Sequence, residues 1–380
     1  MEKRTLPTLD LKRHYAQIKD EIDEAIRGVV ESQYFILGPE VKAFEAEAAR
    51  YLDVKHAVGC ASGSDALLLA LMALDVKPGD EVITTPFTFF ATVSAITRLG
   101  AKPVFADIDP QSFNIGAQRA MEALTARTKV FLPVHLFGQM AEMEKIAPLM
   151  KEKGVKIVED CAQAFGAWRS ADGKIVRCGG WGGLGAFSFF PTKNLGAYGD
   201  GGMITADDDA LAQRLSRLRV HGAGADYYHD EVGLNSRLDA LQAAVLRVHL
   251  RHLQECLEER RRAADRYKMF FAELGLEEFA VTPFVTPGNY HTYHQYVIRA
   301  ERRDDLMAFL AGQGIASRIY YPLPLHLQRC FAFLGYGRGD FPESEKLAGE
   351  CLALPIFPGI TEEEQQRVVE EIARFYKEKL

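Results

Sequence analysis

Apolar positions along the chain change period in a way that divides it into stretches. Residues 15–31 carry Ile18, Ile22, Ile26 and Val30 four apart, a stripe that predicts a helix, and residues 40–51 predict a second. A strand–helix rhythm then begins. Strands are expected at 56–60, 81–85, 103–106, 129–134 and 156–158, with helices near 66–74, 91–99, 117–125 and 141–152 between them. Such alternation implies a parallel sheet with right-handed crossovers, whose functional residues gather beyond the carboxyl ends of the strands. After a further strand at 186–190 the rhythm lapses. Helices are expected at 211–218 and 238–253, the latter running on through charged residues to Leu274 and bridging two units. A smaller α+β unit follows: strand 295–298, helix 304–313, strand 315–319 and closing helix 362–377.

Composition narrows the function classes. The 380 residues are 48% hydrophobic and carry a net charge of −7, so the chain has material for two or three domains and no surplus of cations for generic nucleic-acid binding. Its longest apolar run, 66–74, falls far short of the roughly 20 residues that cross a bilayer. The start, Met1-Glu2-Lys3-Arg4, mixes charges and lacks the apolar core of a signal peptide. Six scattered cysteines without a CxxC read as reduced thiols. The expectation is a cytoplasmic protein that contacts neither membrane nor nucleic acid.

Four segments carry candidate chemistry. Ser62-Gly63-Ser64-Asp65 stands between a strand and a helix, where it serves equally as an ordinary N-cap or as an anion cradle at free helical amides. Glu159-Asp160 ends an apolar strand and suggests an acid that holds a protonated ring nitrogen, with Gln163 just beyond. Lys193 follows the aromatic strand Ser188-Phe189-Phe190 and precedes Gly196, Gly199, Gly201 and Gly202; a desolvated lysine there forms a Schiff base. Gly180-Trp181-Gly182-Gly183-Leu184-Gly185 matches GxGxxG, but a strand rather than a helix follows, against dinucleotide binding. His291 and His294 have no third ligand in sight, so no metal is expected.

The order of cradle, strand-end acid and lysine resembles the sugar aminotransferases of the DegT/DnrJ/EryC/StrS class, a branch of the fold-type I pyridoxal-phosphate enzymes. The likeness is carried by "YFILGPEVKAFE", "ASGSDALLLAL", "PFTFFAT", "VEDCAQAFGA", "FSFFPTKNLGAYGDGG" and "GLNSRLDALQAAVL". It implies an α/β fold with an aspartate-aminotransferase-like large domain, residues 1–257, built on a mostly parallel seven-stranded sheet, and a smaller C-terminal α+β domain, residues 258–380. It implies pyridoxal 5′-phosphate as cofactor and these roles. Lys193 carries the cofactor and shuttles the proton. Asp160 pairs with the ring nitrogen, Phe89 stacks on the ring, and Gln163 lies near the phenolic oxygen. Gly63, Ser64 and Ser188 hold the phosphate. Asn235 reaches the phosphate in the neighbouring subunit of a homodimer. Arg237 clamps the donor's carboxylate, and Tyr321 and His326 meet the substrate. A local basic pocket for the nucleotide diphosphate would draw on Arg219, His221, Arg318 or His326. Lys193 stands where related dehydratases carry His, which favours transamination. Asp200, in place of the Glu of a "GEGG" stretch, favours carbon 3 of a dTDP- or UDP-linked keto hexose over carbon 4, with glutamate as donor. A nicotinamide-dependent oxidoreductase, resting on GxGxxG, and a non-catalytic regulatory homologue stand as alternatives.

Overall fold

The computed structural model describes residues 5–224 and 227–377. Helix α1 (Leu11–Ser32) is capped by Asp10, whose side chain accepts from the Lys12 N–H, and it buries Ile18, Ile22 and Val29. The stripe ends on Val29 rather than the expected Val30, because a helix turns every 3.6 residues and a strict four-residue stripe drifts off its face. Helix α2 (Pro39–Leu52) leads into β1 (His56–Cys60), α3 (Gly63–Ala73), β2 (Glu81–Thr84), α4 (Phe90–Arg98), β3 (Lys102–Phe105), α5 (Ala117–Glu122), β4 (Thr128–Phe131), α6 (Met143–Glu152) and β5 (Lys156–Asp160). A hairpin, β6 (Trp168–Ala171) with β7 (Lys174–Arg177), precedes β8 (Gly183–Ser188) and β9 (Gly202–Ala206).

These strands form a seven-stranded sheet in the order β1-β9-β8-β5-β4-β2-β3. All pairings are parallel except those of β9, which lies antiparallel between β1 and β8. Helix α3 packs on β8 and β9 and buries Leu67, Leu69, Leu71 and their neighbours against one face. On the other face Phe44, Phe187, Phe189 and Leu246 share a second core. Burial on both faces explains why the strands are short apolar runs rather than alternating ones.

Helix α7 (Asp209–Leu218) precedes α8 (Ala240–Glu273), 34 residues and therefore about 50 Å long. Up to Leu257 the buried side chains of α8 pack with the large sheet, apart from Val245 and Val248, which meet Ile18 and Ile22 of α1; from Ala263 to Phe271 they join a different core. That core covers a three-stranded antiparallel sheet of β10 (Ala280–Val281), β12 (Tyr296–Ala300) and β13 (Cys351–Leu354). Strand β11 (Asn289–Tyr290) instead pairs with the β6–β7 hairpin. Helices α9 (Arg303–Gly312), α10 (Pro342–Glu350) and α11 (Glu362–Lys377) complete this part.

One expectation is corrected. Residues 315–319 do not form a strand: Ile315 bridges Leu6 and Arg318 bridges Ala353, while β13 takes the place in the sheet. Strand β9, led by Gly202 and wholly buried, stands outside the strands expected from the sequence. No helix among the described residues is long and apolar enough to cross a membrane.

Candidate active site

The site lies beyond the carboxyl ends of β1, β5 and β8. At the end of β1 the chain turns through Ser62, whose extended backbone and side-chain oxygen cap α3 by accepting from the Asp65 N–H. The N–H groups of Gly63 and Ser64 meet no acceptor among the described residues. They open α3, where backbone donors and the helix dipole favour an anion. Ser188 ends β8 directly opposite: a Cβ on Gly63 would lie 2.5 Å from the Ser188 Cβ, so only glycine lets the two strands' ends approach this closely. The turn is braced from behind by Ser236, whose hydroxyl accepts from the Ala61 N–H and donates to Asp65 Oδ2 at 2.7 Å.

Asp160 is buried at the end of β5. Its Oδ2 accepts from the Thr92 hydroxyl at 2.8 Å and its Oδ1 from the Ala162 N–H at 3.1 Å, and Thr88 lies 2.9 Å from Thr92 one turn back. Burial raises the Asp160 carboxyl above the ordinary range, against the Thr92 hydroxyl, the Ala162 amide and the Lys193 charge. A cation at the open side of this carboxylate reverses such a shift. Lys193 is half-buried, and partial burial pushes its amine down to about 8, with Asp160 acting in the other direction.

A third group converges from the small unit. Gln163 Oε1 accepts from the Phe137 N–H at 2.7 Å, and its Nε2 donates to the Tyr321 hydroxyl at 3.0 Å, leaving one amide hydrogen over. Burial raises the Tyr321 phenol. The Tyr321 ring centroid lies 6.0 Å from Phe87 and 6.3 Å from Phe89. Phe89 caps α4 and is 58% exposed, an aromatic face held at the rim by its neighbours.

Gly63, Ser188, Asp160, Lys193, Gln163, Tyr321 and Phe89 thus supply an anion cradle, a buried acid, a depressed amine and an exposed ring. That donor set fits a phosphorylated aromatic aldehyde: amides and hydroxyls for the phosphate, a carboxylate for a ring nitrogen, an amine for the carbonyl. The pattern that describes the DegT/DnrJ/EryC1/StrS aminotransferase family matches residues 16–373.

The chain belongs to that family.

It is a pyridoxal-phosphate-dependent sugar aminotransferase. It is 53% identical to the pleiotropic regulatory protein of Geobacillus stearothermophilus, over 98% of this chain and 99% of that one. It is 44% identical to the UDP-N-acetyl-3-dehydro-alpha-D-glucosamine 3-aminotransferase of Acidithiobacillus ferrooxidans, over 97% of each chain. Among solved structures it is similar to DesV of S. venezuelae in complex with a ketimine intermediate: TM-score 0.93, 39% identity, 98% of each chain covered.

The structure places the other candidates variously. Ser64 and Asn235 are exposed, and Arg237 is half-buried with no acid partner among the described residues. His221 and Arg318 are exposed. Arg219 is spent on Glu45 and the Gly59 carbonyl. The His326 side chain is buried, against Phe341 and 3.1 Å from Glu345. His291 accepts from the Tyr293 N–H and stacks on that ring, and His294 is buried beside it. Sequence reasoning missed Thr92, Thr88 and Ser236. Thr92 lies in the first turn of α4 and Thr88 just before its cap; the two hydroxyls pair, and that of Thr92 reaches Asp160.

Proposed function

We propose that this aminotransferase delivers an amino group to carbon 3 of a dTDP- or UDP-linked keto hexose, with glutamate as donor. The observation that carries the reading is the depressed Lys193 amine interacting with Asp160, in a chain whose relatives include a nucleotide-sugar 3-aminotransferase. Pyridoxal phosphate supplies the electron sink that makes the substrate's C–H acidic. In this reading the Gly63 and Ser64 amides and the Ser188 hydroxyl bind the phosphate, and Phe89 covers the ring and excludes water. Asp160 keeps a proton on the ring nitrogen, and the spare Gln163 amide hydrogen faces the phenolic oxygen. Lys193 Nζ, deprotonated in a sizeable fraction near pH 8, would take the proton from the amino donor's α-carbon and, in the second half of the reaction, deliver a proton to carbon 3 of the keto sugar.

Two features support a homodimer with shared sites. Asn235 and Ser64 present polar side chains outward, and Tyr34, Phe35, Ile36, Phe190, Tyr198 and Val232 are exposed apolar residues on nearby segments. A second copy covering them would bring its Asn235 to the phosphate and its Arg237 guanidinium to the donor carboxylate. The test is a panel of nucleotide-linked 3-keto and 4-keto sugars added to the aminated enzyme, with loss of the aminated cofactor's absorbance as readout. Turnover with 3-keto sugars supports the reading. Reaction with 4-keto sugars alone overturns the regiochemistry, and no reaction with any of them favours a regulatory role like that named for the Geobacillus relative.

A further inference from the structure

The glycine-rich segment that matches GxGxxG is folded around one of the protein's own carboxylates. Glu159 is fully buried. Its Oε1 accepts from the Trp181 N–H at 2.7 Å and the Gly182 N–H at 2.9 Å; its Oε2 accepts from the Gly179 N–H at 3.1 Å and lies 2.9 Å from His135 Nε2. His135 Nδ1 accepts from the Ala141 N–H, which leaves the ring proton on Nε2, pointing at Glu159. Four donors therefore converge on two oxygens. Cys161 approaches the same pair, but both nitrogens of His135 are taken, so the trio offers no open face to a metal.

This network is wired to the backbone of the next residue. The Asp160 N–H donates to the Pro133 carbonyl and its carbonyl accepts from the His135 N–H, while the Cys161 N–H donates to Ala186 on β8. His135 thus grips β5 twice, by ring to Glu159 and by backbone to Asp160. The loop bound by Glu159 is the lead-in to β8, the strand that carries Ser188. Successive strand residues point to opposite faces, so Glu159 holds the sheet's back while Asp160 projects toward the site.

We propose that Glu159 is a positioning residue for the reaction, whose carboxylate locks the end of β5 between residue 135 and residues 179–182 and so fixes Asp160 against the cofactor's ring nitrogen. The proposal rests on the reading of Asp160 given above. Replacing the carboxylate leaves buried N–H donors facing nothing or each other, in surroundings where an unmet donor is costly. The strand end then relaxes, and a small misplacement at a reacting centre costs rate far more than binding.

The test compares wild type, D160N and E159Q, each loaded with pyridoxal phosphate. The readouts are the pH midpoint of the visible absorbance band, kcat, KM for the nucleotide sugar and amide hydrogen exchange at residues 179–182. D160N is expected to move the midpoint upward by about one pH unit or more. E159Q is expected to move it in the same direction by less, to lower kcat on the order of 10- to 100-fold, to leave KM within about twofold, and to speed exchange at the loop. A wild-type midpoint and kcat in E159Q, with only a lower melting temperature, overturns the proposal. An unmoved midpoint in D160N removes the Asp160 assignment and this inference with it, whereas a moved D160N beside an unmoved E159Q overturns this inference alone. Should E159Q fail to fold, H135Q keeps the three amide contacts and loses the imidazole. A smaller shift in the same direction supports the proposal, and no shift overturns it.

Discussion

Two glycine-containing turns look alike along the chain and behave oppositely in the fold. The turn at Ser62–Ser64 leaves the first amides of α3 without an acceptor and faces Ser188 across a gap that only a glycine permits. The loop at 179–182 has the richer glycine pattern, yet its amides are consumed by Glu159. Glycine content therefore reports where backbone must come close, and a neighbouring acid or its absence decides what the amides bind. In the proposed reading the open turn receives a phosphate, while the closed one is filled by the protein's own carboxylate.

A methyl group distinguishes the two. Gly185→Ala puts a Cβ 2.4 Å from the Gly179 Cα and 2.6 Å from Thr205 Oγ1, with backbone as the obstacle. Its cost is expected in stability, about 1–3 kcal/mol, measured by denaturant unfolding of the cofactor-free protein. Gly63→Ala also clashes, 2.5 Å from the Ser188 Cβ, and costs stability, but it crowds the cradle as well, so it alone is expected to weaken cofactor affinity, on the order of 10- to 100-fold by absorbance titration, or about 1.4–2.8 kcal/mol. If the two variants exchange these signatures, the contrast between the turns is wrong. A smaller effect is expected for Ser62→Ala, which removes the cap of α3 and costs about 1 kcal/mol of unfolding free energy.

A pH experiment sharpens the same contrast at the amine. The Lys193 pKa is lowered to about 8, so the nucleophilic neutral form grows as pH rises through 8. Cofactor attachment, followed by the growth of visible absorbance, should speed up with pH below about 8 and level off above it. The folded protein holds this proton less tightly than the unfolded chain does. The group's contribution therefore makes the cofactor-free protein more stable as pH rises from about 8 toward the ordinary lysine value, and Lys193→Met removes that rise. A flat attachment rate between pH 6.5 and pH 9 would contradict the half-buried, depressed amine.

Much of this was readable in the residues. The closing helix 362–377 and the long helix through Leu274 were legible because each runs many residues with apolar positions recurring at helical spacing and no proline or glycine inside. Strand β9 was not, because Gly202-Met203-Ile204-Thr205-Ala206 is short, glycine-led and buried on both faces, so it shows no period. The order of Ser62–Ser64, Asp160 and Lys193 was legible as chemistry, since each sits at a strand's end or just past one. The Glu159 network was not: acid, histidine and amides are separated by some twenty residues each and meet only through the sheet's order.

The central claim is that one depressed amine, Lys193, carries the cofactor. Borohydride reduction of the loaded protein, followed by proteolysis and mass spectrometry, tests it most directly. The account predicts one pyridoxyl-phosphate adduct per chain, on the peptide that contains Lys193. An adduct on another lysine, or none, would contradict it.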